Sequence, residues 1–186
     1  LPPLGGTGLP ASGRGILAAI ACIALFGICQ GMTHPLFALR LEEAGWRSGM
    51  IGVSGAMVAI AALTTAPFMP PVIRLMGLPG FLTAAALLSA VSLLAFPIYD
   101  GFLAWLGLRY LQGIAATALF LGSENWIVAD AEEGTRGRII GLYATVLSLG
   151  FAAGPMILTG VGHAGALPFI VCALLSLLCI LPLVTA

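Results

Sequence analysis

Apolar stretches of about 20 residues recur from one end of this 186-residue chain to the other, and about 20 helical residues span the hydrocarbon core of a bilayer. No other feature restricts the fold so strongly. Inside lipid every backbone N–H and C=O has to find its partner within the protein, and an open sheet edge cannot face acyl chains. Helices are therefore expected rather than strands. Composition agrees, with 60% hydrophobic residues, 8% charged residues and a mean hydropathy of +1.12. A water-soluble domain has to wrap its core in polar side chains, and this chain carries too few. The expected class is an all-α, polytopic integral membrane protein.

Six spans are expected, at about 15–38, 48–69, 79–98, 102–128, 138–161 and 165–185, within one transmembrane domain over 14–186. Pro67, Pro70 and Pro71 close the second. Residues 1–13, rich in glycine and proline, read as a flexible tail. Arg14 before the first apolar run gives that end the look of a secretory signal, but with five further spans behind it the run reads as an uncleaved first helix. Short connections make neighbours in sequence the expected antiparallel neighbours in space. Spans 1–3 and 4–6 suggest two three-helix units of the kind found in transporters. The chain starts at Leu1 without a methionine and stops at Ala186 right after an apolar run, as a fragment or a processed chain would.

Net charge is zero, all seven basic residues are arginines, and no basic run suits nucleic acid. Arg14, Arg74, Arg136 and Arg138 fall on one side of the spans, Arg40 and Arg47 on the other. By the excess of positive charge on cytoplasmic loops, both ends of the chain are expected inside, with the protein multi-pass in the cell's inner membrane. Trp46, Tyr99 and Trp126 near span ends suit headgroup anchors. Cys22 and Cys29, like Cys172 and Cys179, stand seven apart without a CxxC or Cys/His cluster. They read as small buried hydrophobes, with no metal, cofactor or disulfide framework implied.

Arg109 stands well inside the fourth apolar run, at a cost of roughly 2.5–3.5 kcal/mol on insertion scales. Such a group should face a cavity or a partner. At 100° per residue it shares a stripe with Gln112, Gly113, Ala116, Phe120 and Ser123. The stripe is expected to line a substrate pathway, with the guanidinium fork offered to an anionic or carbonyl group. In the alternative, Arg109 ties helices together through backbone carbonyls. Glu124, roughly 22 Å further along the helix, is a proton-coupling candidate if partly buried, or else a solvated cap. His34, before Pro35, is a second such candidate, or an interfacial anchor.

Asp130, Glu132 and Glu133 precede Arg136 and Arg138 in the loop after span 4. They are expected either to make salt links that change as helices move or to be a solvated loop, each pair then worth about 0–1 kcal/mol. Gly141, Gly150 and Gly154 mark span 5. The last two form a small-xxx-small face for close helix approach, and Pro155 permits a bend.

Arg109-Tyr110-Leu111-Gln112-Gly113 resembles the RxxQG signature in the fourth helix of major facilitator superfamily transporters. Thr135-Arg136-Gly137-Arg138 is similar to that superfamily's pattern at the start of span 5. Gly141, Gly150, Gly154 and Pro155 fit G-x8-G-x3-G-P and resemble the antiporter motif of its efflux members, although Leu158 and Thr159 replace the glycine pair that usually follows. In the loop between spans 2 and 3, Gly77 fits the superfamily's gating motif; Arg74 occupies its acid position and the basic cluster is missing. The run from Gly31 through Arg40 to Gly52, with Ser123-Glu124-Asn125-Trp126, looks like a bacterial branch with drug-efflux relatives. The resemblance covers about 15–185 and the N-terminal half of a twelve-helix fold. It implies a secondary transporter of a small molecule working by alternating access, with proton-coupled efflux, no enzymatic activity, and a second six-helix half from the same chain or another copy.

Two other classes remain open. A self-pairing or non-transporting membrane scaffold needs no pathway. An intramembrane serine protease is suggested by Gly52-Val53-Ser54-Gly55, which reproduces the GxSG of rhomboid proteases, with His163 as its nominal base.

Overall fold

The computed structural model describes residues 13–99, 101–130 and 135–185. Eight α-helices are found there: α1 (Gly13–Glu43), α2 (Ser48–Thr65), α3 (Met69–Met76), α4 (Leu78–Ala95), α5 (Phe102–Asp130), α6 (Arg136–Val161), α7 (Leu167–Leu178) and α8 (Ile180–Thr185). A 3₁₀ turn, Ala66–Phe68, joins α2 to α3. Five stretches are long and apolar enough to cross a bilayer: Gly15–Glu43, Ser48–Met76, Leu78–Ala95, Phe102–Ile127 and Arg136–Val161. The shorter Leu167–Leu183 makes the sixth. The protein is an all-α polytopic membrane protein. Residues 1–12, read above as a tail, lie outside the described part, as do 131–134 and the side chains of Arg14 and Asp130.

Local chemistry sets the ends. Helix α1 runs through Pro35 and closes at Gly45, whose φ of +76° suits glycine. Gly45 N–H donates to Glu42 O at 2.9 Å and Trp46 N–H to Leu41 O at 3.0 Å, the two bonds of a Schellman cap. The prolines of the second span bend it rather than end it. Pro67 sits in the 3₁₀ turn and Met69-Pro70-Pro71 opens α3, where a missing N–H costs nothing. The run therefore continues to Met76. Gly77, at φ +73°, then reverses the chain directly into α4. The sixth span breaks at Cys179, between α7 and α8. Pro182, three residues on, cannot donate to the carbonyl of Leu178.

The packing departs from the expected order. Sequence neighbours α1 and α2, α5 and α6, and α6 and α7 barely meet. The most extensive pair is α1 with α6, followed by α4 with α5, α2 with α5, and α4 with α7. Counted as spans, the pattern is unchanged when spans 1–3 are exchanged with spans 4–6. The contact of 1 with 5 becomes 4 with 2, that of 3 with 4 becomes 6 with 1, and 1 with 4 and 3 with 6 map onto themselves. This is the contact pattern of two three-helix repeats, inverted because each crosses the bilayer an odd number of times. Short loops set the order of crossing; pairing follows the repeat.

Glycines carry the α1–α6 contact. A Cβ on Gly27 would lie 2.7 Å from Leu147 O, and one on Gly150 2.8 Å from Ala24 O. One on Gly31 would meet the Phe151 carbonyl, and one on Gly154 the backbone of Gly31 and Met32. Residues rise together on both sides, so the helices run parallel, each presenting Gly-xxx-Gly to the other. Gly141, grouped with these above, has nothing within 4 Å of its added Cβ and takes no part. Helix α6 runs unbroken through Pro155, which is exposed.

Trp126 does not serve as a headgroup anchor. It is 2% exposed within the core around Phe81, Leu82 and Leu119, not at a headgroup-level surface. Trp46, stacked on Phe102 at 4.9 Å, and Tyr99, half exposed, remain at the span ends.

Candidate functional site

Arg109 is enclosed. It is 4% exposed, its Nε donates to Ser54 O of α2 at 3.3 Å, and its guanidinium carbon lies 4.3 Å from the centroid of the Phe37 ring on α1. A desolvated guanidinium over an aromatic face gains about 2 kcal/mol, which offsets part of the cost of burial. Phe37 is itself held by Phe96 at 4.4 Å and Phe169 at 6.0 Å. Arg109 thus joins spans 1, 2 and 4 from within.

One turn on, Gln112 opens a polar chain through the core. Its Nε2 donates to Ser89 Oγ of α4 at 3.2 Å, and Ser89 Oγ lies 2.9 Å from Ser176 Oγ of α7. Ser176 donates to Cys172 O at 3.1 Å and lies 3.5 Å from Cys29 Sγ of α1. Four spans meet through neutral groups, and Gln112 Oε1 and Ser54 Oγ are left buried without a partner. Gly113 packs against α2, its added Cβ falling 2.7 Å from Ala61 Cβ.

The open space lies further along α5, toward its C-terminal end. A cleft of about 640 Å³ is lined by Phe26 and Gln30 of α1, Ala62 and Leu63 of α2, Ala66 and Pro67 of the 3₁₀ turn, and Ala116, Thr117, Phe120 and Leu121 of α5. A second, of about 460 Å³, shares Phe26 and Gln30 and is closed by Leu147, Ser148, Phe151 and Ala152 of α6. The two flank Gln30, and their walls come from spans 1, 2, 4 and 5. Of the six residues on the stripe expected to line a pathway, Ala116 and Phe120 are on this wall; Arg109, Gln112, Gly113 and Ser123, which is paired with Tyr143, are not. The stripe they share is about 100° wide. Height along α5 separates its members: Arg109, Gln112 and Gly113 come first, beside Ser54, Ser89 and Ala61, and Ala116 and Phe120 follow one to three turns later, on the wall.

His34 lies one turn above Gln30 on the same face of α1 and is exposed. Its ring centroid is 5.6 Å from that of Phe151, a wall of the second cleft. Because α1 continues to Glu43, His34 is inside an apolar span rather than at its end. Glu124 is exposed near the end of α5, one turn beyond Leu121 on the cleft wall. Arg74 near the end of α3, and Arg136 and Arg138 at the start of α6, are exposed at one end of the bundle. The proposed partner acids Asp130, Glu132 and Glu133 lie outside the described side chains.

The protease arrangement does not form. Ser54 is buried with its Oγ unpartnered, so no base activates it, and His163 Nε2 is instead 2.7 Å from Glu43 Oε1.

Gln30, central to both clefts, has no place in the sequence-based site, nor has Thr117. The signal was present: Gln30 is a lone amide within the first apolar run, and the rule that singles out Arg109 applies to it equally.

The comparisons with known proteins agree with this architecture. The chain is 28% identical over 158 residues to an uncharacterized MFS-type transporter, YfkF, of Bacillus subtilis (strain 168), an alignment covering 85% of the chain and 40% of the relative. The chain therefore spans less than half the length of the curated relative it matches. The sequence model of the family described as the Major Facilitator Superfamily matches residues 9–186. With nearly the whole chain inside that match, the protein belongs to the Major Facilitator Superfamily.

Proposed function

We propose that this chain forms one six-helix half of a secondary transporter, with the paired clefts about Gln30 as its share of the substrate site. The observation that carries this reading is the cleft itself: spans 1, 2, 4 and 5 open a concave face with a single amide at its centre. The helices beside it are little buried within the chain. Only 11% of the second span's apolar window and 17% of the fifth's are buried, against 56% for the first. A second six-helix unit, from the same polypeptide or another copy, would cover that face and complete the cavity, and rocking of the two units would give alternating access. The wall is mainly apolar and aromatic, with Gln30, Thr117 and Ser148 as its polar groups. It suits a largely apolar molecule bearing an amide or carbonyl group.

Efflux driven by a proton gradient is the coupling proposed, with His34 beside the cleft and Glu124 at its cytoplasmic end as the groups that take up and release the proton. An ionisable side chain within an apolar span by default faces a cavity or pathway, and His34 fits. The exposed arginines Arg74, Arg136 and Arg138, with Asp130 and the turn at Gly77, would form the cytoplasmic gate. Both ends of the chain would then face the cytoplasm from the inner membrane. Reconstitution of the full-length protein into vesicles under an imposed pH gradient tests this. Gln30→Leu should lower efflux of an apolar dye at least tenfold without lowering insertion, whereas His34→Gln and Glu124→Gln should leave dye exchange intact and abolish its dependence on the gradient. Wild-type efflux by Gln30→Leu would overturn the site, and gradient-driven efflux by both of the others would overturn the coupling.

A further inference from the structure

The four cysteines occupy matching heights on two antiparallel spans. Cys22 and Cys29 are seven apart on α1, and Cys172 and Cys179 seven apart on the sixth span. Cys29 Sγ donates to Cys172 O at 3.5 Å and Cys179 Sγ to Cys22 O at 3.6 Å. Cys22 thus faces Cys179, and Cys29 faces Cys172. All four are free and buried.

We infer that these are two disulfide-competent pairs, Cys22 with Cys179 and Cys29 with Cys172, able to staple span 1 to span 6 when a peroxide reaches the bilayer core. Hydrogen peroxide is small and uncharged. It would oxidise one thiol to a sulfenic acid with release of water, and the facing thiol would then displace a second water as the S–S bond forms. Two S–H bonds and the O–O bond break, the peroxide takes the two electrons, and both protons leave in water. The pairs differ in freedom to reach disulfide geometry, which confines the Cα atoms to about 4.4–6.8 Å. Cys179 sits at the break between α7 and α8, so its backbone can adjust. Cys172 is inside continuous helix and braced by Ser176. The Cys22–Cys179 bond should form first.

The test is a time course of hydrogen peroxide on membranes holding the full-length protein, followed by alkylation with N-ethylmaleimide in denaturant and unreduced peptide mass spectrometry. Expected are linked peptides joining Cys22 to Cys179, then Cys29 to Cys172, with the melting temperature raised until dithiothreitol is added. Cys179→Ser, which keeps a donor for Leu175 O, should leave Cys22 alkylatable and the other link intact. Four alkylated cysteines at every time, or a link between Cys22 and Cys172, would overturn the inference.

Discussion

Gly154→Val should prevent the six spans from assembling while leaving each able to insert. A Cβ at Gly154 already meets the backbone of Gly31 and Met32, and backbone cannot turn aside as a flexible side chain can. The helices would have to separate along the most extensive contact in the fold. Overpacking typically costs about 1–3 kcal/mol where side chains can move, and here the expected loss lies at or beyond the top of that range. Gly141→Ala is the control. It has open space around its Cβ, and replacing a helical glycine by alanine gains about 0.5–1 kcal/mol. Fluorescence-detected size exclusion of the two variants in mild detergent measures the difference: a monodisperse peak for Gly141→Ala and aggregate for Gly154→Val. A folded, wild-type-like Gly154→Val would mean that α1 and α6 are not in close contact.

Arg109→Met should insert and fold yet lose at least tenfold in transport. Methionine approximates the length of the arginine stem, and replacing a buried ionic group by a well-packed apolar one is often neutral or stabilising. What disappears is the tie from span 4 to Ser54 O on span 2 and to the Phe37 face on span 1, both spans of the cleft wall. Phe37 lies one turn from His34 on α1, so losing Arg109 should disturb the proposed proton coupling as well. Arg109→Lys tests shape against charge, since an ammonium cannot stack as a guanidinium does. It should resemble Arg109→Met. Full transport by either variant would make Arg109 a dispensable core residue.

The spans were legible because lipid imposes length and polarity on every helix that crosses it. The glycine face on span 5 was legible too. Its partner on span 1, Gly27 and Gly31, repeats the Gly150 and Gly154 spacing, but spacing alone does not pair two such faces. Which helix packs on which was not legible, because loop length constrains sequence neighbours and the two three-helix units interleave instead. Arg109 was correctly read as facing inward, but periodicity cannot distinguish a cavity from an aromatic ring and a carbonyl. Trp126 shows the same limit, since nearness to a span end does not fix the direction of a side chain.

Cysteine scanning of the full-length protein tests the central claim most directly. Single cysteines are placed at Gln30, Thr117 and Ala152 on the cleft wall, and at Val91 and Leu174, which are exposed on α4 and α7 away from it. Each is treated with a charged, water-soluble methanethiosulfonate reagent. The first three should label and Val91 and Leu174 should not, because water reaches the cleft and lipid covers the other face. Label at Val91 and Leu174 with none at Gln30, Thr117 and Ala152 would mean that no aqueous pathway runs along this face.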